Sequence, residues 1–258
     1  MADSPWDPTQ YHRFRAERQQ PFLDLVALVE PRPGLRVVDL GCGTGEMTRV
    51  LHDRLPGAET LGVDSAETML AESAPFVTAG LRFARADIAA FAPDAAFDLI
   101  VSNAALHWLP DHAALFARLR DGLAARGQLA VQMPANYEYP SHVVAAQVAG
   151  EAPFRDALGG FTVGCPVHAP AWYAALLHRL GFRRQHVRLQ VYAHLLDARD
   201  DVVEWVRGSL LTAYQRRLPA ELWPAFVERY RARLLAELPD QRPFFYPFKR
   251  LLLWGRLA

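Results

Sequence analysis

The residues best suited to chemistry begin with a glycine-rich turn that a carboxylate precedes, DLGCGTG, from Asp39 to Gly45. Glycines at positions 41, 43 and 45 allow a tight turn and let a ligand approach the backbone without meeting a Cβ atom. The spacing is GxGxG, whereas the dinucleotide fingerprint GxGxxG holds a pyrophosphate at a helix N-terminus. Asp39 would repel a pyrophosphate, so the turn indicates a cationic, amine-bearing ligand.

Two further carboxylates end apolar segments downstream of this turn. Asp64 ends GVD, where it could accept hydrogen bonds from both hydroxyls of a ribose. Asp87, in RADI, could meet an adenine amino group, and for both residues a turn or cap role is the alternative. Ser65 is predicted to be the N-cap of the next helix. Met69, within that helix, could lie on an adenine face or belong to the core.

A third polar group follows the buried segment FDLIV, in SNAALHWLPDH from Ser102 to His112. Asp111 is predicted to cap the next helix. His107 and Trp108 could be catalytic groups, a wall of a substrate site, or the packed start of that helix. The nine histidines of the chain are scattered without metal-ligand spacing, so we predict no metal site.

The elements that must position these residues alternate between strand and helix. Apolar, β-branched runs separated by amphipathic segments predict βαβ units and a parallel sheet with right-handed crossovers. Up to Met133 the pattern predicts an open doubly wound α/β fold, with ligands at the carboxyl ends of its strands. The five predicted strands lie in RVVDL, TLGV, LRFARADI, FDLIVSN and GQLAVQM.

Beyond Met133 the pattern changes. Residues 134–154 are predicted to be a turn-rich polar and aromatic insertion, followed by a helix ending at Gly181 and the strand FRRQHVRLQVYAH. Helical segments, VVEWVRGSLLTAYQRRL and ELWPAFVERYRARLLAEL, then precede a last strand, and we interpret them as a cap inserted before it. We predict one domain over 1–258. Its parts are an N-terminal lid helix in 1–30, a cofactor-binding core in 35–133, and a substrate-side insertion, helical cap and final strands in 134–258.

Composition restricts the partners. With 28 Lys and Arg against 28 Asp and Glu, no net field favours nucleic acid or an anionic membrane. No stretch approaches the roughly 20 apolar residues that span a bilayer, and MADSPWDPTQ lacks the pattern of a signal peptide. Cys42 and Cys165 are too few for a disulfide framework. We therefore expect a soluble cytoplasmic protein with a small-molecule substrate and neither a nucleic-acid nor a membrane partner.

In their order and spacing, five segments resemble the class I S-adenosylmethionine-dependent methyltransferases. The resemblance covers about residues 35–133 and implies S-adenosyl-L-methionine as the cofactor. The segments are VVDLGCGTG, LGVDSAETML, FARADI, FDLIVSNAALHWL and GQLAVQM.

The resemblance also implies where each part of the cofactor lies. The methionine part would face the glycine turn, and the ribose the carboxylate that ends the second strand. The adenine would meet the residues after the third strand, partly through a backbone amide, and the sulfonium would lie beside the end of the fourth. In that order the implied residues are Asp39, Gly41 and Gly43; Asp64; Asp87 and the Ile88 amide; and Asn103. Ser65 and Met69 complete the predicted cofactor-binding set.

Over nearly its whole length the chain is also similar to the trans-aconitate 2-methyltransferase family. The similar segments are WDPTQYHRFRAER, SNAALHWLPDH, QMPANYEYPSH, EWV and, more loosely, YPFKRLLL. The similarity implies an O-methyltransferase that forms a methyl ester on a small polycarboxylic acid. Thr212 and Ala213 stand where the family usually has Arg-Pro, and His107 where Gln is frequent. The alternatives are another acceptor, such as a carrier-bound malonyl group or a small phenol or quinone, and a non-catalytic cofactor-binding module.

A carboxylate acceptor decides which chemistry the site must supply. Its unperturbed pKa of about 4 makes it anionic at neutral pH, so it needs no general base. Alignment for in-line transfer can contribute roughly 7–11 kcal/mol. We therefore interpret His107 as a donor that orients the acid, with cap packing as the alternative for the aromatic residues and an ion pair or solvated face for Arg18. The predicted acceptor-orienting residues are Tyr11, Arg18, His107, Trp108, Asn136, Tyr137, His142, Trp205, Tyr214 and Arg250.

Overall fold

The computed structural model describes residues 15–92 and 96–258, and seven strands within them form one sheet. The strands are β1 (Arg36–Leu40), β2 (Glu59–Asp64), β3 (Leu81–Arg85), β4 (Phe97–Asn103), β5 (Leu123–Pro134), β6 (Phe182–Leu196) and β7 (Phe244–Leu257). Their order across the sheet is β3-β2-β1-β4-β5-β7-β6. The first five strands pair in parallel, and β7 is antiparallel to β5. The predicted doubly wound, mostly parallel α/β fold is confirmed.

Helices connect these strands, and four of them pack against the sheet: Arg15–Val26, Glu46–Asp53, Glu67–Ala71 and His112–Asp121. The helices are α1 (Arg15–Val26), α2 (Glu46–Asp53), α3 (Glu67–Ala71), α4 (His112–Asp121), α5 (Pro140–Ala149), α6 (Phe154–Ala157), α7 (Pro170–Arg179), α8 (Asp201–Arg207), α9 (Thr212–Gln215) and α10 (Trp223–Glu237). In the part of the chain that the structure describes, every helix is too short or too polar to cross a membrane.

The central strands are buried on both faces. Val37 and Val38 are adjacent in β1 and both are completely buried. Because successive strand residues point to opposite faces, the sheet is covered on each side there. The edge strand β6 instead exposes Arg183 and Arg184, and charged side chains on an edge disfavour pairing with another chain.

The described residues divide into two compact units. The sheet unit consists of Arg15–Ala135, Pro166–Gln190 and Arg250–Ala258, and the cap unit contains Asn136–Cys165 and Val191–Lys249. Apolar and aromatic side chains from α5, α8, α9 and α10 form the core of the cap unit. The helices between β6 and β7 are the predicted insertion before the last strand. The assignment of residues 1–258 to a single domain stays a prediction.

Of three local predictions, one is confirmed and two differ from the structure. Asp111 does cap α4, since its carboxylate accepts a hydrogen bond from the Ala114 amide at 3.1 Å. The insertion after β5, however, is not only turns, because it contains the ten-residue α5. Its Val144, Ala145 and Val148 are buried at helical spacing in the core of the cap unit. The first predicted cap helix breaks after Arg207, where Gly208 disfavours helix.

The turns that follow β1 and β4 are in contact at Gly41. This glycine has a φ of +80°, and a Cβ atom built on it would lie 2.3 Å from the Cβ atom of Ala105. The preceding Ala104 also has a positive φ, 53°, which is unusual for alanine. Since the Ala105 Cβ is fixed to its backbone, a methyl group at position 41 requires one turn to move.

We expect Gly41→Ala to destabilise the protein more than a matched change that introduces only the unfavourable φ. Gly34 is the control, because its φ is +70° and nothing lies within 4 Å of the point that a Cβ atom would occupy there. A left-handed alanine costs about 1–2 kcal/mol, and overpacking adds about 1–3 kcal/mol. Thermal and urea unfolding of both variants measure the difference. Equal losses would show that the two turns separate at no cost.

Candidate active site

The Asp64 carboxylate, at the end of β2, organises the glycine turn. Its Oδ2 accepts a hydrogen bond from the Gly43 amide and its Oδ1 from the Ala66 amide, each at 2.9 Å. Each oxygen of a carboxylate can accept a second bond, so Asp64 keeps acceptor capacity for ribose hydroxyls. Ala66 occupies the N-cap position of α3 without a side-chain bond. The predicted N-cap role of Ser65 is therefore wrong, because the helix begins one residue later and its N-cap position is Ala66.

Gly45 and Gly43 differ in what a Cβ atom would contact at each position. A Cβ atom at Gly45 would meet the ring of Phe83 at 2.7 Å, so packing within the protein requires glycine there. A Cβ atom at Gly43 would meet only the Met69 Cε, at 3.4 Å. Gly43 and the buried Met69 therefore border a space that a side chain at position 43 would fill. Such a cradle fits the predicted contact with a cofactor.

Asp39 is the buried carboxylate of the turn. It is 2% exposed, and its Oδ2 accepts a hydrogen bond from the Thr48 hydroxyl at 2.7 Å. Its Oδ1 is buried and accepts no hydrogen bond from the described residues. Burial raises the pKa of Asp39 to about 7, although the Thr48 bond opposes the rise and the Asp64 charge adds to it. A cation at Oδ1 would stabilise the ionised form, as the ammonium group of a methionine moiety would.

The residues predicted to meet the adenine follow β3. The Asp87 Oδ1 accepts a hydrogen bond from the Ala89 amide at 2.8 Å, so this carboxylate has the turn role considered as an alternative. Its side chain is exposed, and it can accept further bonds. The Ile88 side chain would lie 3.4 Å from a Cβ atom placed on Gly41. The structure thus brings Ile88 to the glycine turn.

At the end of β4, two adjacent polar residues differ in their bonding. The Ser102 hydroxyl is buried and donates to the Leu40 carbonyl at 2.7 Å, which joins β4 to β1. The Asn103 Oδ1 is also buried, but it accepts no hydrogen bond from any residue in 15–92 or 96–258. Asn103, and not Ser102, therefore offers an unused polar atom at this strand end.

His107 and Trp108 lie in a short 3-10 turn, with ring centroids 4.6 Å apart. His107 is buried, whereas Trp108 is 38% exposed. The sequence interpretation missed His112, which anchors this turn. Its Nε2 lies 3.2 Å from the Leu106 carbonyl, and its Nδ1 is hydrogen-bonded to the Tyr173 hydroxyl. Burial lowers the pKa of His112, so a neutral ring holds both partners.

Arg250 is placed in β7 with 5% of its surface exposed. Its Nη1 donates to the Oε1 of Gln132, in β5, at 3.4 Å. Gln132 is completely buried and was not among the predicted site residues. Arg250 and Gln132 therefore form a buried pair in the sheet unit.

Three of the predicted acceptor residues are neighbours at the start of the cap unit. The rings of Tyr137 and His142 lie 5.3 Å apart and line a cavity of about 430 Å³. Burial lowers the pKa of His142 to about 4. The Asn136 Oδ1 accepts from the Lys249 amide at 3.2 Å, so this side chain already serves the local fold.

The remaining acceptor predictions are distributed elsewhere. Trp205 and Tyr214 are buried in the core of the cap unit, and the Tyr214 hydroxyl accepts from the Val163 amide at 3.1 Å. Their positions favour the packing alternative, and contact with an acid stays a prediction. Arg18 lies in α1, and Tyr11 lies outside the described residues. Within those residues no three His, Cys, Asp or Glu side chains are grouped to hold a metal ion.

Comparisons with known proteins cover the sheet and the cap. A family model described as a methyltransferase domain matches residues 37–127. The trans-aconitate 2-methyltransferase of Deinococcus radiodurans is 43% identical over 253 residues, or 96% of each chain. That of Streptomyces avermitilis is 40% identical over 95% of this chain and 94% of its own. The solved structure of YcgJ from Bacillus subtilis matches 93% of this chain and 99% of its own with a TM-score of 0.61 at 15% identity, which shows the fold alone.

These findings agree with the geometry of the glycine turn. The matched family uses S-adenosyl-L-methionine, and the open Asp39 oxygen and the cradle at Gly43 fit that cofactor. The full-length relatives extend the agreement from the cofactor region to the whole chain. The chain belongs to the trans-aconitate 2-methyltransferase family of class I S-adenosyl-L-methionine-dependent methyltransferases.

Proposed function

We propose that this protein methylates one carboxylate of a small polycarboxylic acid, trans-aconitate or a close analogue, to form a methyl ester. The extent of the similarity carries this proposal. A match restricted to residues 37–127 would support only the cofactor, but the relatives named for this reaction match 95% or more of the chain. The similarity therefore also includes regions outside residues 37–127, where residues that distinguish one acceptor from another could lie. We also propose that the protein acts in the cytoplasm.

In this proposal the sheet unit binds the cofactor, which when bound supplies an electrophilic methyl group on a sulfonium. The Asp39 oxygen that accepts no bond receives the ammonium group of the methionine part. Asp64 accepts hydrogen bonds from the ribose, and the predicted residues after β3 bind the adenine. Asn103 lies beside the sulfonium. The bonds that Asp64 makes to Gly43 and Ala66 support these roles, because they fix the carboxylate before a ligand arrives.

The residues on the acceptor side orient the acid and take no proton from it. A carboxylate is already ionised at neutral pH, so the rate depends on alignment. The planar guanidinium group of Arg250 suits a carboxylate, and His107 supplies a further donor beside the ring of Trp108. The candidates in the cap unit, Asn136, Tyr137, His142, Trp205 and Tyr214, remain part of this proposal, as do Tyr11 and Arg18.

A methyl-transfer assay over several acceptors tests the proposed function. We expect trans-aconitate to give the highest kcat/KM among trans-aconitate, cis-aconitate, isocitrate, citrate, a malonyl-carrier conjugate and catechol. Calorimetric titration with S-adenosylhomocysteine, and with NAD as the negative control, shows that the protein used is competent. Methylation of only the catechol or the carrier conjugate would contradict the proposal.

We expect cofactor affinity to decrease at low pH because of Asp39. Its carboxyl group has a pKa of about 7 in the protein, so below pH 7 the carboxylate that attracts the ammonium group is lost. Between pH 7 and 5.5 the Kd for S-adenosylhomocysteine should increase, by up to about tenfold per pH unit. The α-amino group of the ligand stays protonated in this range.

Two variants isolate the contribution of this carboxyl group. Asp39→Asn should bind weakly at every pH in this range. Thr48→Val removes the hydrogen bond that lowers the pKa of Asp39, so the decrease in affinity should begin at a higher pH. A wild-type Kd that is constant from pH 7.5 to 5.5 would place the ammonium group elsewhere.

We expect His107→Gln to keep kcat within about tenfold of the wild type, because a glutamine amide can still donate a hydrogen bond to the acid. Loss of a general base would instead lower kcat by about 10²–10⁴. The control is His112→Gln, which should reduce Tm because His112 bonds the Leu106 carbonyl and the Tyr173 hydroxyl. A thousandfold loss of kcat in His107→Gln, with normal acid binding, would show that His107 acts as a general base.

A further inference from the structure

Two glutamines in β5 have the same residue type and burial but different surroundings. Gln128 and Gln132 are four residues apart, so their side chains leave the same face of the sheet. Both are completely buried. A buried amide needs partners for its oxygen and its nitrogen, and the two residues differ in whether they have them.

Gln128 uses both ends of its amide in the fold. Its Oε1 accepts from the Glu30 amide at 2.8 Å and from the Trp254 indole at 3.0 Å. Its Nε2 donates to the Glu30 carbonyl at 2.9 Å. Gln128 therefore joins the segment after α1, the strand β5 and the strand β7.

Gln132 uses only its oxygen. The Oε1 accepts from the Arg250 guanidinium at 3.4 Å, whereas the Nε2 is buried and donates to no residue that the structure describes. A buried donor without an acceptor is destabilising. Such groups are rare in native proteins and need an explanation, for example an acceptor supplied from outside the chain.

The position of Gln132 indicates which molecule supplies that acceptor. Gln132 pairs with Asn103 across β4 and β5, and its carbonyl accepts from the Ala104 amide at 2.9 Å. It therefore lies beside the strand end where the proposed function places the sulfonium. The acid to be methylated must reach this point, and it carries the carboxylate oxygens that a free N–H group requires.

We propose that Gln132 is a specificity-determining residue that binds a carboxylate of the acceptor acid. Its Nε2 donates to a carboxylate oxygen, while its Oε1 holds the Arg250 guanidinium group to bind the same carboxylate. An amide suits both tasks because it has a donor and an acceptor without a charge. A glutamate at this position would neutralise Arg250 and repel the acid. This assignment rests on the proposed function.

Acid binding without turnover tests the assignment. Calorimetry of trans-aconitate with the protein saturated with S-adenosylhomocysteine measures the affinity for the acid, because no methyl donor is present. In Gln132→Met the Kd for the acid should increase about tenfold or more, as expected for the loss of a hydrogen bond to a charged group. The Kd for S-adenosylhomocysteine should stay within about twofold. Tm should decrease less than in Gln128→Met, because one long bond to Arg250 is lost while an unused buried donor is removed.

Gln128→Met is the matched control. It removes three hydrogen bonds of the fold, so Tm should decrease while the folded protein keeps its affinity for the acid. Gln132→Glu is a second variant, which keeps the shape of the side chain but adds a negative charge. We expect it to bind the acid about a hundredfold or more weakly, because like charges in a buried site repel strongly.

The outcomes separate this assignment from the function on which it rests. If the wild type binds trans-aconitate and both variants at position 132 bind it equally well, the role of Gln132 is overturned and the proposed function stands. A decrease in Tm in Gln132→Met like that in Gln128→Met, with acid affinity unchanged, also makes the residue purely structural. A wild type that binds S-adenosylhomocysteine but none of the tested acids overturns both proposals.

Discussion

The contact between Gly41 and Ala105 is the constraint on which the arrangement of the site depends. It brings the turns after β1 and β4 together so closely that a methyl group at position 41 has no room. β1 lies between β2 and β4, so the chain leaves β1 towards one side of the sheet and later returns on the other. In doubly wound folds a crevice forms at this point, and the close approach of Gly41 to the Ala105 Cβ limits how the two turns can be arranged there.

Hydrogen bonding distinguishes the site from the sheet that supports it. Ser102 and Gln128 are buried polar residues whose bonds all lie within the fold. Ten buried side-chain atoms have no hydrogen-bond partner among the described residues, and they include Asp39 Oδ1, Asn103 Oδ1 and Gln132 Nε2. These three belong to β1, β4 and β5, which are adjacent strands. Because unused buried polar groups destabilise a fold, these three atoms on adjacent strands agree with the ligand site proposed above.

The sequence predicted the parts of the structure that local patterns determine. Apolar runs and glycine spacing predicted the parallel strands, the turn after β1 and the strand-end carboxylates. The other features depend on partners that are distant in the sequence. Gln128 and Gln132 cannot be told apart from their neighbours in β5, because the difference comes from Glu30, Trp254 and Arg250. Likewise, the Pro and Tyr residues before α5 made its helical spacing hard to recognise in the sequence. The stability of this helix comes from packing in the cap unit.

The order of the strands also separates charge across the sheet unit. Among the proposed site residues, the carboxylates Asp87, Asp64 and Asp39 belong to the segments of β3, β2 and β1, Asn103 and Gln132 at β4 and β5 carry neutral amides, and Arg250 lies in β7. Under the proposed function, these carboxylates attract the ammonium group of the cofactor and repel a polyanionic acid. Neutral amides between the carboxylates and Arg250 can orient both reactants without neutralising the oxygen that must attack. Under the proposed function, the strand order therefore also directs each reactant to its own side of the site.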